Sequence, residues 1–300
     1  MDTHQRITFV DYAGHRCLQL CNAHGTAIIA LHGAHLLSWV PAGQRDVFWV
    51  SPDALPEPAA IRGGVPVCWP WFASQGMPIG AMSHGPVRTR MWDVAHTGDD
   101  VSADKPLHVT LTPTPALTPD DPLGRYAPGL QVSLRVELGN TLTQTLTTHN
   151  LGEHPFVLTQ ALHSYFAVSD ARQIQISGLE NRPYACKLSG SSHAGHPGIW
   201  QLDQACDRVY LQNASSAEHH YTLSDPAAKR KIHITTHGSQ AVVVWNPGAE
   251  TAAKMADVPN NGWPHFVCVE AANAGADCIT LAPGGQHALT QILSLMPWES

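Results

Sequence analysis

Leu130, Val132, Leu134, Val136 and Leu138 alternate with Gln131, Ser133, Arg135 and Glu137, the period of two that gives a strand one dry face and one wet face. Gly139 and Asn140 read as a two-residue hairpin turn, and the threonine-rich stretch 141–148 as its antiparallel return. The same reading predicts further strands at 7–12, 17–21, 26–31, 36–40, 46–50, 107–111, 156–166, 173–177, 208–211, 231–235, 241–245, 266–270 and 287–295. No stretch has the 3.6-residue apolar repeat of an amphipathic helix. Many short strands punctuated by Gly, Pro and Asn predict an all-β fold, a large antiparallel β-sandwich. No segment reads as a linker, so residues 1–300 are expected to form one domain. Two segments break the rhythm: the proline-rich stretch 112–128 and the Gly/Ser/His stretch 189–198 are expected to be surface excursions that act as lids or decoration.

Composition narrows the function. With 43% hydrophobic residues and 14% charged ones, the chain can bury a substantial core and is not a disordered tail. A net charge of −7 argues against non-specific nucleic-acid binding, which draws on clustered Lys and Arg. The longest apolar run, 241–245, is far too short to cross a bilayer, and no membrane partner is expected. Seven cysteines without a paired CxxC spacing, and no signal-peptide pattern at the N-terminus, suggest reduced thiols in the cytoplasm. Nineteen histidines invite a metal, yet neither HExxH nor a Cys/His finger spacing is present, and no metal site is expected. No GxGxxG and no P-loop is found, and no cofactor is expected.

The densest chemistry lies in IRGGVPVCWPWF at 61–72 and HGPVRTRMW at 84–92. Gly63 and Gly64 permit backbone angles closed to other residues, while Pro66 and Pro70 stiffen the chain around them, as in a rigid loop that holds a site. Arg62, Arg88 and Arg90 offer planar forks for a phosphate or carboxylate, beside aromatic faces suited to a sugar or a base. Each arginine could equally serve a loop salt bridge. His163 shares a strand face with Tyr165, opposite Leu162, Ser164 and Phe166. It is either a proton carrier in a concave face or a hydrogen-bonded histidine in a polar cleft. Glu270 ends the apolar run 266–269, so its carboxylate is paired, at an edge or in a site. Asp207 and Arg208 open a DRVY segment that would also suit a solvated surface, and Cys68 and Cys268 have no neighbouring His or Asn that would mark a nucleophile.

RGG-x-P-x-CWPWF, the HG-x-x-R element, LHSYF at 162–166 and FVCVEAA at 266–272 together resemble the hexose-6-phosphate mutarotases, also called glucose-6-phosphate 1-epimerases, of the aldose 1-epimerase superfamily. The resemblance runs in order from about residue 25 to residue 290, and several motifs in register are more specific than any one alone. Where that family usually reads HGFAR, this chain has Pro86 and Val87 between His84-Gly85 and Arg88. The resemblance implies a supersandwich of facing antiparallel sheets with a concave sugar site. By it, His163 and Glu270 are the catalytic pair, Arg62 and Arg88 clamp a phosphate, His84 contacts sugar or phosphate, and Asp207 binds a sugar hydroxyl. The implied partner is a small phosphosugar, and the implied reaction is acid–base ring opening and closing. In that reading Glu270 is the base at the anomeric hydroxyl and His163, starting protonated with help from Asp207 or the substrate phosphate, is the acid at the ring oxygen. Three other readings stand beside it. A non-catalytic sugar-binding sandwich would use the same arginines and tryptophans, a neutral aldose mutarotase would lack the clamp, and a glycoside hydrolase would normally want two carboxylates.

Overall fold

The computed structural model describes residues 6–98, 106–114, 124–212 and 216–298. Within them the alternation of apolar and polar residues is used as expected: Leu130–Leu138 and Leu142–Asn150 pair antiparallel, and every second side chain of each is buried. Their connection is one residue longer than a two-residue turn, because Leu138 pairs with Leu142 and the Gly139 N–H donates to the Thr141 carbonyl at 2.9 Å.

Two eight-stranded antiparallel sheets face each other. The back sheet runs Gln175–Ser177, Glu218–Asp225, Arg230–His237, Gln286–Met296, Leu142–Asn150, Leu130–Leu138, Leu107–Thr114 and Met91–Gly98. The front sheet runs Ser191–His193, Tyr184–Cys186, Cys206–Leu211, Ala241–Asn246, Phe266–Asn273, Gln160–Leu162 and Val67–Cys68, with Tyr165–Ala167 also paired to Phe266–Asn273. A four-stranded meander from Arg6 to Pro41 adds a third sheet. Leu134, Leu146, Leu289 and Leu293 of the back sheet meet Val267, Val269 and Ala271 of the front sheet in one core cluster. All eight residues of Phe266–Asn273 are buried, so this strand is covered on both faces: its odd-numbered side chains 267–271 face the core, and Phe266, Cys268 and Ala272 join clusters on the other side.

Several expectations are corrected. The stretch 46–50 is irregular, held by single bridges from Phe48 to Phe166 and from Val50 to Gly63. The stretch 156–166 is three short strands, because Thr159 and His163 send their backbone N–H groups to the carbonyls of Pro70 and Pro66 instead of to a sheet neighbour. The stretch 112–128 is not all excursion, since Leu107–Thr114 continues as strand and Gly124–Tyr126 forms a tight turn, while 115–123 lie outside the described residues. Residues 189–198 are largely exposed, as expected, but include the short strand Ser191–His193. Glu218–Asp225 escaped notice because its dry face carries His219 and Asp225 beside Tyr221 and Leu223, which hides the apolar period. Met91–Gly98 escaped because Trp92 is its one fully covered side chain. All seven cysteines are free, and among the described residues no helix is long and apolar enough to cross a membrane.

Candidate active site

The strand Phe266–Asn273 projects Glu270 onto the face away from the sandwich core, and the break after Leu162 turns His163 toward it. His163 Nδ1 lies 3.5 Å from Glu270 Oε1, with the two side chains 9% and 1% exposed. The imidazole stacks on Tyr165 at 4.9 Å and meets the edge of Trp245 at 6.0 Å. Tyr165 is thus the face-sharing neighbour that strand alternation predicts, even though the strand is interrupted between Leu162 and Tyr165.

Burial pushes the Glu270 carboxyl well above the usual carboxylate range, and the nearby Asp207 pushes it further, against the opposing pull of Lys187 and Arg88. Burial, followed by His84, Arg88 and Arg62, holds His163 well below the usual imidazole range. Both shifts run toward the neutral form of each group. They run against the expectation that His163 begins protonated with help from Asp207, whose charge acts on Glu270 and is not among the main influences on His163, and they leave the substrate phosphate as the other expected source of that help.

Arg62 reaches the site from a backbone that only glycine could complete. Gly63 and Gly64 have φ of +105° and +58°, and a Cβ on either would strike the Trp49 or Leu36 carbonyl. The Arg62 guanidinium is already engaged: Nε donates to Asp257 Oδ2 and Nη1 to the Tyr165 hydroxyl, each at 2.9 Å. Burial alone would lower its pKa, but Tyr165 and Asp257 outweigh burial and raise it. Arg88 sits in the short turn Val87–Thr89, directly after the buried Val87. Its charge acts on the Cys68 thiol, on His163 and on Glu270, and among the described residues no carboxylate forms an ion pair with it.

His84 takes a left-handed backbone, φ 66°, ahead of Gly85, whose missing side chain admits the Trp69 carbonyl. Its Nδ1 accepts the Ala73 N–H at 3.3 Å and lies 3.3 Å from Cys68 Sγ. The ring proton therefore sits on Nε2. Burial, then Arg88, Lys187 and Arg62, lower the pKa of His84 to about 3, so it is a neutral donor at physiological pH. Arg62, His84, Arg88 and His163 line one cavity of about 770 Å³, walled also by Leu55, Met82 and the proline-rich segment 56–58. Glu270 and Asp207 are not part of that wall. Asp207, opposite Trp245 in the neighbouring strand pair, has a pKa raised by burial and opposed by Lys187. Its sequence neighbour Arg208 lies over the Tyr184 ring at 4.9 Å.

The buried His163–Glu270 pair thus lies beside a cavity lined by two arginines and two histidines. The aldose 1-epimerase family profile fits residues 16–294. The chain belongs to the aldose 1-epimerase family. It is 38% identical over 258 residues to a Salmonella typhimurium protein named "Putative glucose-6-phosphate 1-epimerase", covering 83% of this chain and 80% of that one. A protein of the same name from Escherichia coli is 36% identical over 253 residues, again covering 83% and 80%. The crystal structure of a "putative mutarotase" from Salmonella typhimurium superposes with a TM-score of 0.84 at 29% identity, covering 99% of this chain and 97% of that one. A galactose mutarotase-like protein from Clostridium acetobutylicum, 15% identical with a TM-score of 0.75, shares the fold. This chain is an epimerase of the mutarotase type, acting on a sugar.

Three residues that contact these groups carry little signal in the sequence. Asp257 lies in an irregular stretch nearly two hundred positions from Arg62 and carries no local signal. Tyr165 was placed beside His163 but not beside Arg62. Lys187 sends its backbone N–H to the Asp207 carbonyl at 2.8 Å and sets its ammonium 4.5 Å over the Phe72 ring. Its one signal is position, two residues before the start of the Gly/Ser/His stretch.

Proposed function

We propose that this epimerase interconverts the α and β anomers of a hexose 6-phosphate, foremost D-glucose 6-phosphate. The observation that carries the reading is the buried His163–Glu270 pair beside a cavity lined by Arg62 and Arg88, the second of which has no carboxylate ion-pair partner among the described residues. Glu270 takes the proton of the anomeric hydroxyl, the C1–ring oxygen bond breaks as the C1 carbonyl forms, and the ring oxygen takes a proton from His163. The aldehyde rotates about its bond to the next carbon, and closure runs the transfers backwards. Arg62 and Arg88 bind the phosphate, His84 donates its Nε2–H to sugar or phosphate, and Asp207 accepts from a sugar hydroxyl.

Neutral His163 with a neutral Glu270 carboxyl contains the same number of protons as imidazolium with carboxylate, and burial shifts both groups toward the neutral form. Only the location of one proton separates the two forms. A phosphate dianion at Arg62 and Arg88 offsets two of the three cationic or polar neighbours that depress His163, so phosphosugar binding favours the imidazolium. The substrate thereby assists its own turnover. The seven free cysteines support a cytoplasmic setting for this activity.

Magnetisation-transfer NMR of anomer exchange tests the reading, with glucose 6-phosphate and glucose in parallel. The expected outcome is strong acceleration for the phosphate ester, weak or none for glucose, and loss of both in His163→Ala. Equal acceleration of the two sugars would replace the phosphosugar reading with a neutral aldose mutarotase, and binding without acceleration would leave a sugar-phosphate carrier.

A further inference from the structure

Behind the site, on the core side of the front sheet, one amide reaches across the sandwich. Gln291 stands in the back-sheet strand Gln286–Met296 and is 1% exposed. Its Oε1 accepts the Ser164 hydroxyl at 2.6 Å, and its Nε2 donates to the Val269 carbonyl at 3.4 Å. The Val269 N–H donates to the Ser164 carbonyl at 3.2 Å, closing a ring of three contacts. Ser164 follows His163, and Val269 precedes Glu270. Since side chains alternate across a strand, what holds Ser164 and Val269 from the core side fixes where His163 and Glu270 project on the other.

We propose that Gln291 is a positioning residue that sets the separation of His163 and Glu270 through Ser164 and Val269. This rests on the reading of that pair as acid and base. A buried amide in an apolar core is an unpromising way to gain stability, because replacing both partners of such a bond by apolar groups of similar shape is nearly neutral or stabilising. Geometry is the gain. Proton transfer falls off steeply with misplacement, and a shift of about 1 Å can cost roughly a hundredfold in rate. The neighbouring strand supplies a natural control. Gln144 pairs with Gln291 in register, is equally buried, and neither of its amide atoms has a hydrogen-bond partner.

The test compares Gln291→Leu, Ser164→Ala, the double variant and Gln144→Leu in the full chain, measuring kcat and KM for anomer exchange, Tm, and the His163 ring ¹⁵N signals. Gln291→Leu alone strands the Ser164 hydroxyl, and the double variant removes that penalty. The expected result is a drop in kcat of about tenfold or more with KM within about twofold, in Gln291→Leu and equally in the double variant, whose Tm recovers. Gln144→Leu keeps kcat. Recovery of kcat together with Tm in the double variant would mean that Gln291 only supports the fold, and would overturn the proposal. So would unmoved His163 signals with unchanged kcat. Wild-type protein that accelerates neither sugar, while the His163 signals still move on Gln291→Leu, would sink the acid–base reading and leave the tether standing.

Discussion

Asp257 makes the two arginines of the cavity unequal. It holds two nitrogens of Arg62 on one carboxylate oxygen, whereas among the described residues no carboxylate forms an ion pair with Arg88. Arg62 is therefore placed and partly neutralised, and Arg88 carries charge to spare. Arg88→Ala is expected to raise KM for glucose 6-phosphate by about tenfold or more, a charge-assisted contact being worth roughly 1.5–3 kcal/mol, and to leave neutral sugars nearly unaffected. Arg62→Ala is expected to act on the same parameter and to lower Tm as well, since it strands Asp257 and the Tyr165 hydroxyl. Equal effects of Arg88→Ala on both sugars would remove the clamp role. A second residue governs acid stability. His35 is fully buried, donates from Nε2 to the Gly63 carbonyl and has no partner at Nδ1. Burial lowers its pKa to about 3. The unfolded chain takes up this proton near pH 6.5 and the folded chain refuses it, so stability is full above about pH 6.5 and falls as the pH drops toward 3. At pH 5 the loss is about 2 kcal/mol for this one group. His35→Gln, which keeps a donor for Gly63, should flatten the acid limb of Tm against pH by that amount; an unchanged limb would mean that other groups set it. Arg62, Arg88, His84, His163 and Glu270 are legible as candidates in the sequence because short motifs carry them, and Asp207 through its position in the resemblance. Asp257 and Lys187 were not, because a partner's identity lies in spatial proximity and neither stands in a motif.

Among the elements, the strand Phe266–Asn273 shows how a continuous apolar run differs from an alternating one. Every residue is covered, so Glu270 can be carried into a dry setting only where a site gives it neighbours of its own. The segment 61–64 makes the complementary case. Arg62 stands where it does because Gly63 and Gly64 let the chain pass under the Trp49 and Leu36 carbonyls. Gly64→Ala is expected to destabilise the fold by roughly 1–3 kcal/mol through its left-handed backbone and the collision with Leu36, and to raise KM for the phosphosugar as Arg62 shifts. Denaturant unfolding alongside kinetics checks this, and unchanged stability would mean that the segment has slack. At this scale alternation revealed Leu130–Leu138 and its return, but not Glu218–Asp225, whose covered face includes a histidine and an aspartate. Nor did it reveal where 156–166 would break, because the breaks come from the carbonyls of Pro66 and Pro70 in another segment.

For the whole molecule, the charge balance of −7 means that cations at the cavity act locally against an unfavourable background. Raising ionic strength from about 0.05 to 0.5 M, which shortens the Debye length from roughly 14 to 4 Å, should raise KM for glucose 6-phosphate several-fold and leave kcat and neutral-sugar kinetics nearly constant. A salt-independent KM would place the phosphate outside the arginine field. The main core cluster draws side chains from Leu18 to Leu293, which supports the proposal that the chain forms one domain. The sequence by itself determined the all-β class and most of the strands and supplied the candidate chemical groups, because alternation and loop motifs are local properties of the chain. Tertiary structure alone decided which strands lie side by side, that Asp257 and Tyr165 hold Arg62, that Gln291 reaches Ser164 and Val269 behind His163 and Glu270, and that burial shifts His163 down and Glu270 up. Distance and desolvation are set by segments far apart in sequence, and no local pattern encodes them.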